Sequence, residues 1–205
     1  MSFYKCFRPA TMACLASALL ISLSAAAAQA KELEWNGIFG LIEAFNVVGV
    51  GTPTPPDNPT SGAVTGAAPW VTTSGHAKVD LDSGKANFRV KGLVLAVGSQ
   101  AVSPGNTLSG LGIGTNAGVT MVKGTLVCNV SGKTGPDQVS VEDDTTPVAL
   151  SFQGNASFYG SLVDPVPSVC LTNPEDTAFL IRIVQPSPFF DLWIAFGGGL
   201  KVEGD

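Results

Sequence analysis

Histidine is nearly absent from this sequence. His76 is the one imidazole in 205 residues, so a Ser-His-Asp or Cys-His site would have to be built around it. Metal centres with several histidines are excluded by count, and so are four-thiolate zinc sites once the leader described below is removed. Charge is also scarce, at 13% of residues, and it is spread along the chain. That spread excludes a disordered acidic tail. No internal repeat is visible, and no stretch keeps helical periodicity over three turns with a cap at each end.

Acidic residues are missing from the first thirty positions altogether, and that region has its own organisation. Lys5 and Arg8 supply a positive start, and Pro9 to Ala30 carries no charge. The apolar heart from Cys14 to Ala28 ends at Ala28-Gln29-Ala30, with small residues at the two positions a signal peptidase reads. Charge resumes at Lys31-Glu32. This pattern predicts a cleaved signal peptide over 1–30 and a single β domain over 31–205. A retained anchor is the rival reading, because the uncharged stretch is just long enough to span a bilayer. Its Ala/Ser/Gln tail and its cleavage site favour removal. Cys14 precedes the apolar core, so it is not placed as a lipid-modified cysteine would be.

Export changes the counts. Lys5 and Arg8 leave with the leader, so nine of the 11 cations face all 16 acids, a net charge of −7. A negative surface disfavours nucleic acid and anionic membrane as partners, and no membrane span is expected after cleavage. Four cysteines become two, Cys128 and Cys170. In an oxidising compartment the simplest arrangement is one disulfide. Closing a loop of about 43 residues is worth roughly 4 kcal/mol on the chain-entropy model. The expected destination is secretion, or the periplasm if the host is a Gram-negative bacterium.

What is abundant is alternation, glycine and proline. Ala77, Val79 and Leu81 alternate with Lys78, Asp80 and Asp82; Ala86, Phe88 and Val90 alternate with Asn87, Arg89 and Lys91. A two-residue turn at Ser83-Gly84 between them predicts a hairpin with one buried and one wet face, Leu81 pairing near Ala86. Further strands are expected after Phe45, over 93–97, 119–130, 148–158 and 178–184, and around Gly197-Gly198-Gly199. In the 178–184 strand Phe179, Ile181 and Ile183 oppose Leu180 and Arg182. Between them lie a Pro-rich loop at 53–68, a Gly/Ser/Asn-rich loop at 99–118 and a polar loop at 131–146 carrying Glu142-Asp143-Asp144. The fold class is therefore all-β: an antiparallel β-sandwich, or a closed barrel, with long Gly/Pro-rich loops.

Candidate site residues are few. Trp35, Trp70, Trp193 and Tyr159 offer rings that could stack on sugars, although large aromatics are mostly core in such folds. Asp80-x-Asp82-x-Gly84 is a fragment of a calcium loop without its distal ligands, giving at most weak calcium binding and no other cofactor. Gly110-x-Gly112-x-Gly114 lacks the strand–helix frame of a nucleotide loop. The expected function is a non-catalytic exported domain, structural or ligand-binding, with a glycan or another exported protein as partner. The alternative is a secreted hydrolase using carboxylates carried by the long loops.

Overall fold

A computed structural model describes residues 31–41, 47–49, 64–65, 69–96, 114–133, 139–185 and 191–204. The leader 1–30, nearly all of 53–68 and the 99–118 loop up to residue 113 lie outside the described residues. The strands are β1 (Glu32–Gly40), β2 (Val47–Val48), β3 (Val64–Thr65), β4 (Trp70–Val71), β5 (Ser74–Asp80), β6 (Lys85–Lys91), β7 (Val94–Leu95), β8 (Met121–Cys128), β9 (Val141–Asp144), β10 (Val148–Ala149), β11 (Ala156–Ser161), β12 (Thr177–Gln185) and β13 (Trp193–Glu203). One short helix, α1 (Ser168–Thr172), interrupts them. Among the described residues no helix is long and apolar enough to cross a membrane.

The main sheet is antiparallel in the order β10-β8-β12-β13-β1-β5-β6-β11. β9 and β10 lie end to end along one edge of β8: Asp144 is opposite Thr125, and Val148 is opposite Val122. The sheet curls into a half-barrel. Its two ends touch where Thr145 bridges Leu162 and the Val163 N–H donates to the Asp144 carbonyl at 2.7 Å. The all-β antiparallel expectation holds, chiefly in this one curled sheet, beside which β2–β3 and β4–β7 form two small two-stranded sheets.

Curling follows from which faces are apolar. The concave side gathers Leu33, Trp35, Ala77, Val79, Phe88, Val90, Leu126, Phe179, Ile181 and Ile194 into one core. Phe179 sits at its centre, with ring centroids 5.5 Å from Trp35 and 5.9 Å from Phe88. Gly124 makes room for this cluster: a Cβ there would lie 2.5 Å from the Phe179 ring. The central strands are also covered on the convex side, where Leu41, Val127, Leu180 and Trp193 form a second cluster. A strand buried on both faces reads as a continuous run, which is why β8 is buried from Val122 to Cys128.

The hairpin keeps its expected faces but not its register. Ala77, Val79, Leu81, Ala86, Phe88 and Val90 are all buried. Val79, not Leu81, stands nearest Ala86. The connection is four residues, Leu81 to Gly84, closed by the Gly84 N–H on the Asp80 carbonyl at 2.8 Å. Leu81 leaves the ladder because its N–H pairs with the Lys31 carbonyl at 2.9 Å. The slip is two residues, and a period-2 strand tolerates an even slip without exchanging faces.

Two other expectations are corrected. Residues 148–158 are not one strand. They turn at Ser151–Gly154, where Gly154 has φ +75° and a Cβ would meet the Leu93 backbone. Glu142-Asp143-Asp144 is not part of a loop: these residues form β9, paired to β8, with Glu142 and Asp143 buried.

Candidate functional site

Two places carry unusual chemistry, and the first is the open outer face of β5, β6 and β11. Alternation puts Lys85, Asn87, Arg89 and Lys91 on this side of β6, opposite the buried Ala86, Phe88 and Val90. Cross-strand pairing sets Tyr159 of β11 beside Asn87, Ser157 beside Arg89, and His76 of β5 on the other flank of Arg89. The Tyr159 ring is 89% exposed. Lys78 on the same face is neutralised by Glu32 at 2.5 Å, which raises its pKa. Lys85, Arg89 and Lys91 make no ion pair among the described residues.

The other aromatic candidates are placed differently. Trp35 and Trp70 are buried in the concave core. Trp193 is buried in the convex cluster, edge-on to Phe196 at 6.0 Å. Of the four rings, only Tyr159 presents its face to solvent.

Asp80 and Asp82 stand at the tip of the β5–β6 hairpin. Asp80 Oδ1 accepts the N–H groups of Asp82 and Ser83 at 3.0 and 2.9 Å. The Ser83 hydrogen bond is the main reason its pKa is held below the usual carboxylate range. A cation at Asp80 would have to compete with these bonds. No group of three potential metal-ligating side chains is found among the described residues.

The second place is a charge cluster on the convex side of β8, β9 and β12. Arg182 is 2% exposed. Its Nη1 donates to Glu142 Oε2 at 2.6 Å, its Nη2 to Asp191 Oδ2, and its Nε to the Asp191 carbonyl at 3.1 Å. Lys123 Nζ reaches Asp144 Oδ2 at 2.5 Å and lies 3.1 Å from Asp191 Oδ1. The latter is an ion pair at a distance where charge attraction acts strongly. Thr125 Oγ1 donates to Asp144 Oδ1 at 2.5 Å. Two cations therefore hold three carboxylates. Burial pushes Glu142 and Asp191 upward in pKa, against the downward pull of Arg182 on both. Asp191 adopts φ +66°, a left-handed conformation that Asp tolerates better than most residues. Arg182 grips both its carboxylate and its carbonyl.

Asp143 points the other way from its neighbours on β9 and is 3% exposed. Its Oδ1 accepts the N–H of Asp144 at 2.8 Å and of Asp164 at 3.2 Å, pinning the chain after β11 to β9. Its Oδ2 is buried without a partner among the described residues. Burial pushes its pKa up to about 6, with the two backbone hydrogen bonds opposing.

Cys128 ends β8 and Cys170 lies in α1; both are buried, at disulfide distance, with Cα atoms 5.3 Å apart. The sequence reading missed the Arg182 cluster. The available signal was Arg182 itself, a charge midway along an otherwise apolar strand. Comparison with protein-family models, curated proteins and solved structures finds no match for this chain.

Proposed function

We propose that this chain is an exported, non-catalytic binding domain whose ligand site is the outer face of β5, β6 and β11. One observation carries the reading: Tyr159 stands open on a face of hydrogen-bonding and cationic side chains, anchored by a well-packed strand pair. An exposed amphipathic ring on a flat sheet is a ready stacking surface for a sugar. A glycan, or a glycan-bearing exported protein, is the ligand class this suits. In this reading the half-barrel closes into a barrel, the leader 1–30 is removed, and the domain is secreted, or periplasmic in a Gram-negative host. Isothermal titration of the mature chain with a panel of polysaccharides tests it. At least one should bind, and Tyr159→Ala should weaken it by about 1–3 kcal/mol, the range for loss of a stacking ring. Binding that survives Tyr159→Ala unchanged rules out this face. N-terminal sequencing of the exported protein should begin at Lys31.

A second reading has its own support. Glu142, Asp144 and Asp191 converge around Arg182, and two of these carboxylates are raised in pKa, as a hydrolase acid would be. Their carboxylates are already engaged by Arg182, Lys123 and Thr125, which favours a structural role. Loss of a glycosidase activity in Glu142→Gln, with folding intact, would reverse that preference.

A further inference from the structure

Resting on the binding reading, we infer that the ligand of the β5–β6–β11 face is an acidic polysaccharide, held by Tyr159 stacking and by the cation row of β6. The argument starts from charge. The mature chain carries net −7, yet three of its nine cations stand on one side of a single seven-residue strand. Carboxylates are available and are used elsewhere: Glu32 holds Lys78, Glu203 holds Lys201, and three acids surround Arg182 and Lys123. Arg89 and Lys91 have His76, Ser157 and Ser74 as their cross-strand neighbours on this face, none of them acidic. Lys85 attracts the Asp80 carboxylate across the hairpin without forming an ion pair among the described residues, and Asp80 is hydrogen-bonded within the turn. A local positive row on an acidic protein attracts an anion at short range.

Geometry narrows the class. Tyr159 is directly opposite Asn87 and diagonal to both Lys85 and Arg89, at about 7–8 Å between backbones. A ring stacked on Tyr159 therefore has a cation on either side along β6 and an amide beneath it. Lys91 follows Arg89 at about 7 Å. A chain of sugars laid along β6 would bring carboxylates to Arg89 and Lys91 while an apolar sugar face covers Tyr159. Arg89 offers a planar fork suited to a carboxylate. Nucleic acid fits less well. It is bound through several stacking rings and a longer cationic groove, and among the described residues this face offers Tyr159 and the His76 imidazole beside a row of three cations.

Titration of the mature chain with polygalacturonate, dextran and oligo-dT separates the possibilities. Polygalacturonate should bind at least about tenfold more tightly than dextran, and weaken as salt is raised through the physiological range. Arg89→Ala/Lys91→Ala should cost about tenfold or more in polygalacturonate affinity, as charged hydrogen bonds are lost. Lys133→Ala, which removes a charge from the turn after β8, should leave it unchanged. All three positions are exposed, so unchanged melting curves will confirm that the variants fold. An unchanged affinity in the double variant overturns the inference. So does oligo-dT binding more tightly than polygalacturonate. If dextran binds equally well and depends on Tyr159, the acidic class falls while the binding reading stands. If no saccharide binds, both fall.

Discussion

Asp143 gives the sharpest test of the packing beneath β9. Its carboxyl is nearly inaccessible, one oxygen holds two backbone N–H groups, and the other has no partner among the described residues. A shift from 3.8 to about 6 means that ionised Asp143 opposes folding. The stability it contributes is fully present below its unfolded pKa and is lost as pH rises through about 6. At 1.36 kcal/mol per pKa unit, the full effect is about 3 kcal/mol, of which about 2 should be recovered on going from pH 7.5 to 4.5. Glu142 and Asp191, also raised, act in the same direction, whereas Asp80 and Glu203 are lowered and act against it. Asp143→Asn isolates the one group, because its amide oxygen can still accept the Asp144 and Asp164 N–H bonds. Urea denaturation of both proteins over this pH range is the assay. Wild type should gain about 2 kcal/mol relative to the variant as pH falls. Parallel curves, or a wild type that gains relative stability as pH rises, would refute the burial argument.

The two arginines of the domain should differ sharply. Arg182→Ala strands buried carboxylates and should cost about 3–5 kcal/mol, whereas Arg89→Ala on the open face should cost less than about 1 kcal/mol; urea midpoints decide. Phe88→Ala should cost about 3–5 kcal/mol, because its ring packs against both Phe158 and Phe179. Free-thiol labelling of the denatured, unreduced mature chain should find no thiol, and Cys128→Ser/Cys170→Ser should lower stability by about 2–4 kcal/mol. Millimolar calcium should raise the melting temperature if Asp80 and Asp82 bind it; an unchanged melting temperature leaves them as turn-forming and surface charge.

The hairpin was legible because alternation reports faces directly, and faces survive an even slip of register. The turn was not, because Leu81 is apolar and continues the alternation while its N–H is already taken by Lys31. The same effect concealed the bend at Ser151–Gly154. Phe152 keeps the apolar beat through a turn and ends 65% exposed, where a strand reading places it in the core. Periodicity reports which side a residue would face, not whether the backbone goes on pairing.

The charge cluster was hidden for a different reason. Glu142-Asp143-Asp144 reads as a solvated run because its partners are remote in sequence: Lys123 is 21 residues from Asp144, and Arg182 is 40 from Glu142. Only the sheet brings β9, β8 and β12 side by side, and only the strand pleat separates the three acids. Glu142 and Asp144 turn toward Arg182, and Asp143 turns toward the core. Arg89 and Arg182 make the same point from the other side. Each alternates with apolar neighbours, and by pattern both belong on a wet face. Among the described residues β6 is bare on its outer side, whereas β12 is covered on both. An arginine on a one-sided strand is free to meet a ligand. One on a two-sided strand must find its counter-ions inside the protein, and here it finds Glu142 and Asp191. How many faces of a strand are covered, which no single strand's sequence declares, decides whether its arginine pairs inside the fold or stays open to solvent.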